Sequence, residues 1–572
     1  MDFLSCFVKR TPEYTHLMRS LKAGTSPISV TGLCRTAKSN IVSALPDDLH
    51  RRVVVVAPDE GAAFKLKDDL FSQGRDSVVL EARDLDLRSS SGASREYERS
   101  RAGTLYRLLT DSSVTLIATP DALAVRTIPP GRLSSVCVTL ESGSEISPDS
   151  LCEKLIGGGY LRVDSVEAAG QFARRGGIVD VFTPAAADPV RIEFWGDEID
   201  SISSFDVATQ RRNDSTDSVV ITPAREIIFP SGSELSKKLS DLADRCRDKT
   251  AADLILRDAD NAKNGILPSN ADKYLSLCYD EKCTAFDYLS DPLFFIDDRN
   301  AVFERIDSFY TVQSELITQL LEEHELTREL CDFYLNNGEL MSKLQKGLCV
   351  ISDPFTVRSD RIRSKDHVDF STRALAPFSG TAAETAEDIA PLVHSKFKVI
   401  LVCGTEKAAR SLCDLLSDNG LSAVYSEDPV GAAAGTVFVT PGTLSSGVEY
   451  TSIKTAVFTN ARSSACRQKR KKYGLKGASI GSLEELKVGD HVVHSVYGIG
   501  LFDGIRKIEK DGIVKDYIKI KYRADEILYV PVTQLDIVSK YIGSGESGAV
   551  KLDKLGSDRW QKTKSRVKSA VA

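Results

Sequence analysis

From residue 1 to about 128, apolar runs alternate with stretches of helical spacing. PISV leads into a glycine-led loop and then IVSAL. RRVVVVAPDE (51–60) has the continuous apolar run of a strand buried on both faces, and GAAFKLKDDLFSQG follows with helical spacing and a terminal glycine. SVVLEARDLDL, REYERSRAGTLYRLLT and SVTLIATPDALAV repeat the step. Such alternation predicts a parallel sheet with crossover helices. From 131 to 212 the texture changes to short alternating strands with tight turns (GGIVDVFTP, PVRIEFWGDEI, SISSFDV), which predicts an α+β insert. Residues 213–345 return to mixed character, with the strand FFIDD and a long amphipathic helix, and complete the first α/β domain begun at 1–130. A second α/β domain of structural role is expected at 346–463, a basic linker at 464–480 and a small all-β module at 481–548. The last stretch, 549–572, has the look of the start of a basic helix. The fold class expected is therefore multidomain α/β.

In the β module the alternation of VVHSVYGIGLF, DYIKIKY and ILYVPV suits a small SH3-like, or Tudor-like, barrel. Its core is expected to take Val492, Ile499, Ile518, Ile520 and Val530, with Gly498 and Gly500 at tight bends.

Composition narrows the classes. The hydrophobic fraction of 42% over 572 residues is that of a globular protein of several domains. A net charge of -7 does not mark a nucleic-acid binder. No apolar run approaches the ~18 residues of a membrane helix, and the N-terminus lacks the apolar core of a signal peptide. Both absences lead to the expectation of a cytoplasmic protein. The 12 cysteines are scattered without a C-x-x-C, so reduced thiols are expected and no zinc. His491 and His494, in HVVH, fall on opposite faces of a strand and suit packing or capping rather than a metal.

The chemistry concentrates first in VTGLCRTAKSN (30–40). Strand, glycine loop, Lys-Ser and helix follow the order of a phosphate-binding loop. Gly32, Lys38 and Ser39 are in place, but the second glycine is Ala37. A Cβ there obstructs the inward-turned N–H groups that cradle phosphate. The partner acidic motif is PLFFIDDRN (292–300), where Asp297 and Asp298 end a buried strand. A working helicase-like site would carry Asp-Glu, and Asp298 is one methylene short of that base. Two matching defects predict a degenerate nucleotide site with no catalytic residue, no metal and no cofactor of its own.

Two further segments carry a definite resemblance. QFARRGGIVDVFTPAAADPVRIEFWGDEIDSISSFDVATQRR resembles the domain by which the excinuclease component UvrB recognises the excinuclease component UvrA. GDHVVHSVYGIGLFDGIRKIEKDGIVKDYIKIKYRADEILYVPVTQLDIVSKYIG resembles the RNA-polymerase-interacting domain shared with CarD-type regulators. In this order they resemble the N-terminal part of bacterial transcription-repair coupling factors. The resemblance implies a UvrB-like fold with a degenerate nucleotide site. It implies contact with UvrA through Arg175, Arg191 and Trp195, the last being Phe in most relatives. It implies contact with the RNA polymerase β subunit through Lys507, Ile508 and Glu509, on an edge strand open to pairing. Departures follow as well. The region of the DNA-clamping hairpin, EARDLDLRSSSGASREYERS, has one aromatic, so strand clamping is expected to be lost. The family's motor, with its intact loop, ATP and Mg, has no counterpart before Ala572, so a fragment without translocase is expected, contacting double-stranded DNA mainly through that absent motor. The expectation is a monomeric, membrane-free docking platform of transcription-coupled nucleotide-excision repair. A CarD-type regulator and a weak helicase-like ATPase are the competing readings.

Overall fold

The computed structural model describes residues 3–83, 85, 87, 96–207, 209–229, 232–264, 271–355, 361–378, 381–431, 433–460, 478–479, 489–494, 497–510, 513–523, 526–531 and 538–540. The basic linker run 466–477, the tail from 549 and half of the segment 81–100, where loss of strand clamping was expected, lie outside them. By internal packing the chain divides into a large unit (1–202, 216–311, 317–469) and a small one (203–215, 312–316, 470–572).

The large unit is built first on a seven-stranded sheet. In spatial order its strands are Asp366–Asp369, Ile28–Thr31, Leu348–Ser352, Leu293–Asp297, Val53–Val56, Thr115–Ala118 and Ser77–Leu80. Every pairing is parallel. The run VVVV explains itself here: Val53 and Val55 enter the core on one face, Val54 and Val56 the core on the other. A parallel sheet covered by helices on both sides favours such unbroken apolar strands. The long helix Arg299–Glu322 follows the FFID strand as its spacing predicted. The first sheet also takes Leu348–Ser352 and Asp366–Asp369, so it extends beyond the expected boundary at 346.

A second sheet, within residues 372–459, is mixed. Lys398–Cys403 pairs in parallel with Val437–Pro441 and Thr455–Thr459, while Gly447–Tyr450 and Thr372–Leu375 are antiparallel at one side. Helix Arg35–Leu49 lies between the two sheets. Its residues Thr36, Ala37 and Ser39 through Leu45 are all buried, and Ile41, Val42, Ala44 and Leu45 share one core with Ile400, Val402, Val448 and Val457.

In the insert, strands Leu161–Arg162, Gln171–Arg175, Ile178–Val181 and Val190–Trp195 lie side by side. One face packs Phe172, Val179, Val181, Val190 and Ile192 against Leu151 and Leu155 of helix Pro148–Gly157.

In the small unit the β module has the order Ala478–Ser479, Val538–Lys540, His491–His494, Gly498–Lys510, Ile513–Lys521, Ile527–Pro531, all antiparallel. Among the described residues the first and last of these strands do not pair with each other. Val492, Ile518, Ile520 and Val530 are core, joined by Phe502, Tyr522 and Val538, whereas Ile499 is only half-buried. Gly498 has φ +83 and is the first residue of strand Gly498–Lys510. Gly500 instead permits close packing, since a Cβ there would lie 2.4 Å from Ile520 Cγ2. His494 is buried and its ring packs 5.0 Å from that of Tyr497. Among the described residues no helix is long and apolar enough to cross a membrane.

The insert returns to the first domain through a buried ionic knot. Glu226, fully buried, accepts from Arg101 and from Thr127 Oγ1, with Arg83 3.6 Å away. Burial alone would raise its pKa, but Arg101 and Arg83 hold it below the usual carboxylate value. The stability due to ionised Glu226 is fully present above the unfolded carboxyl's pKa, about 4.3, and is lost as pH falls through the lower folded value. Glu226→Gln is expected to cost roughly 3–5 kcal/mol at neutral pH, because the fully buried Arg101 guanidinium loses its counter-charge, while Arg83 keeps Asp272 at 2.8 Å. The gap to wild type should narrow as pH falls below about 4. A melting-temperature series across that range checks this, and a gap constant with pH would rule out the ionised knot.

Candidate functional site

The phosphate-type loop is closed by its own chain. Gly32 has φ +72, and a Cβ on it would lie 1.9 Å from the Phe370 carbonyl oxygen. Thr372 Oγ1 donates to Gly32 O at 2.6 Å and accepts from Cys34 N at 2.9 Å. A hydroxyl thus takes an amide that a phosphate oxygen would need. Farther along, Thr36 Oγ1 donates to Ser446 O at 2.8 Å and Asn40 Nδ2 to Tyr450 Oη at 2.6 Å.

The two halves of the expected site do meet. Lys38 Nζ donates to Asp297 Oδ1 at 2.6 Å. Ala37 and Ser39 are buried, and Ser39 Oγ donates to Thr36 O and accepts from Gln73 Nε2. That hydroxyl is committed to protein partners. Asp298 has φ 61 and caps helix Arg299–Glu322 by accepting from Ala301 N. The loop's side chains are thus bonded to protein partners.

The insert carries the second group. Register places Ala173 opposite Asp180 and Asp180 opposite Arg191; the next row is Arg175, Ile178 and Glu193. Paired residues in a sheet share a face and alternate ones repeat it. Arg175, Arg191 and Trp195 therefore occupy one face, opposite to the apolar core. Trp195 is 83% exposed beside the turn at Gly196 (φ +67), so it is no core residue. Arg175 is exposed and donates to Asp164 O at 2.7 Å. Arg191 donates through Nε and Nη2 to the two oxygens of Asp180 at 2.7 and 2.9 Å. This bond, set against partial burial, raises the Arg191 pKa further and keeps it charged. Asp180 itself is 1% exposed. Residue-by-residue reading passed over Asp180, although a lone carboxylate inside IVDV was a signal that it had a partner.

In the β module, Lys507, Ile508 and Glu509 lie on strand Gly498–Lys510, with Ile508 opposite Lys515. The His491–His494 strand accompanies it only as far as Leu501, and backbone bonds with Gly489 and Asp490 end at Phe502. Among the described residues the stretch 503–510 pairs on one edge alone. Near its base Asp503 is paired with Lys519 at 2.8 Å and Lys521 at 3.2 Å, which holds its carboxyl below the ordinary value.

Known proteins match these segments. Residues 138–227 match the UvrB interaction domain, and residues 486–542 the CarD-like/TRCF RID domain. A transcription-repair-coupling factor of Bacillus subtilis (strain 168) is 31% identical over all of the chain and 50% of its own length. One from Staphylococcus epidermidis (strain ATCC 12228) is 28% identical over 96% of the chain and 48% of its own length. One from Staphylococcus aureus (strain MRSA252) is 26% identical, covering 100% and 50%. The chain is related along its whole length to the transcription-repair-coupling factors. It spans about half the length of the curated relatives it matches. The UvrB interaction match encloses Arg175, Arg191 and Trp195, and the RID match encloses the half-paired strand.

The two arginines should behave differently as structural elements. Arg175→Ala removes an exposed side chain and should change stability by less than about 0.5 kcal/mol. Arg191→Ala strands a buried carboxylate and should cost roughly 3–5 kcal/mol. Thermal unfolding of the two variants compares them; equal losses would contradict the ion pair's geometry.

Proposed function

We propose that this chain is the docking half of a transcription-repair coupling factor. The half-paired strand 503–510 takes the β subunit of a stalled RNA polymerase, with Lys507, Ile508 and Glu509 at the contact. The outer face of the insert takes UvrA through Arg175, Arg191 and Trp195. The β module acts as the SH3-like barrel of the RNA-polymerase-interacting domain. Loop 32–39, with Asp297 and Asp298, is a degenerate helicase-type nucleotide site. DNA translocation, ATP and Mg belong to the remainder of such factors.

The observation that carries this reading is the insert's outer face. Three residues drawn from two strands share one side of the sheet, and one of them is a tryptophan with 83% of its surface exposed. Large exposed aromatics with neighbouring arginines are the composition of interface anchors. The polymerase contact is supported by the free edge, since strand addition uses main-chain groups for register and alternate side chains for specificity.

Immobilised chain is expected to capture both purified partners. Arg175→Ala and Trp195→Ala should each weaken capture of UvrA by about 1–3 kcal/mol and leave polymerase untouched. Ile508→Arg should do the reverse, by several kcal/mol if the site is desolvated. Capture of polymerase alone by the wild type would favour the CarD-type regulator instead.

The closed loop leads to a second expectation. The chain should hydrolyse no ATP above background, and Lys38→Ala should leave that background unchanged. Turnover that disappears with Lys38→Ala would establish the ATPase in place of the docking platform.

A further inference from the structure

We propose that Asp180 is a positioning residue for the protein-binding face of the insert, setting the plane of the Arg191 guanidinium before any partner arrives. The proposal rests on the reading of that face as the UvrA site. Asp180 lies in the middle of strand Ile178–Val181, where Val179 and Val181 point into the core. Its own side chain points the other way, yet it is 1% exposed. In register it stands between Ala173 and Arg191. Ala173, itself 2% exposed, offers no polar group on that side, and Arg191 meets the carboxylate from the other.

A buried ion pair is a poor device for stability alone, because an apolar pair of like volume commonly does as well. What the pair does supply is geometry. Two parallel bonds, Nε to Oδ1 at 2.7 Å and Nη2 to Oδ2 at 2.9 Å, fix a planar fork in one orientation. The side chain of Arg191 remains 14% exposed, so its rim reaches the surface. An arginine already held in place loses less freedom when a partner docks than one that is mobile. Along the same face Glu193 accepts from Ser201 Oγ, and Arg175 is tied to Asp164 O. The face is thus held by internal bonds in each row.

The test is binding of purified UvrA to the full chain, with melting temperature measured on every variant. Asp180→Asn keeps the shape and removes the charge; it should weaken binding about tenfold, as loss of a coupled neighbour does. In the Arg191→Ala background the same change should have no further effect, whereas with Arg175→Ala it should multiply. Asp180→Glu keeps the ion pair and the fold but shifts the fork by a methylene. It should stay folded, with a melting temperature above that of Asp180→Asn because the charge pair is kept, and still bind more weakly than its melting temperature alone accounts for, which a merely structural carboxylate would not produce. Wild-type affinity in a folded Asp180→Glu variant overturns the proposal. So does an Asp180→Asn loss that persists undiminished without Arg191. If the wild-type chain itself fails to bind, the reading of the face falls, and the proposal with it; binding by the wild type with unchanged variants removes the proposal alone.

Discussion

Helix Arg35–Leu49 has no side that faces water along most of its length, and much of the large unit follows from that. One flank packs on the parallel sheet through Val30, Val53 and Val55. The other belongs to the same core as Ile400, Val402, Val448 and Val457 of the second sheet. Burying each large apolar side chain is worth about 1.5–3 kcal/mol, so the helix is the piece that both sheets need. In a nucleotide-binding protein the helix after such a loop must leave its N-terminus open to phosphate. Here the second sheet reaches over that end with Thr372 and Ser446. Closing the loop and joining the sheets are one structural event.

The insert obeys a different constraint. Its apolar core lies on one face of its sheet, so its strands alternate where those of the first domain do not. That leaves a side on which polar and aromatic residues can be placed without cost to the core. A continuous apolar strand such as Val53–Val56 has no such side. Arg175, Arg191 and Trp195 lie on the face opposite the insert's core, and the loop with the pattern for phosphate chemistry lies where both sheets close over it.

Much of this was legible in the residues because it is local. The unbroken VVVV run, the alternation of VRIEFW and the strand-loop-helix order around Lys38 each reflect neighbours within a few positions. The meeting of Lys38 with Asp297, 259 residues apart, was also legible, because both belong to one known chemical pattern. Thr372 and Asp180 were not. Thr372 acts on Gly32 across 340 residues and carries no pattern of its own. Asp180 pairs across a strand register that only the folded sheet defines. The expected second domain began at 346, whereas the strands Leu348–Ser352 and Asp366–Asp369 pair in the first sheet, because strand type is local and strand neighbour is not.

The Lys38–Asp297 pair shows how two charged side chains at the loop satisfy each other. Both side chains are only 22% exposed. A lysine in that setting is unfavourable unless something negative meets it, and an aspartate unless something positive does. In a working site phosphate and metal would fill those roles. With the loop closed, each residue answers the other, and losing either alone would leave a half-buried charge without its counter-charge. The pair is therefore maintained by its own electrostatics. A nucleotide entering this loop would have to break the pair, displace the Thr372 hydroxyl from Cys34 N and separate Thr36 from Ser446. Those losses fall on the contacts that join the two sheets, so the same bonds that hold the large unit together oppose the ligand.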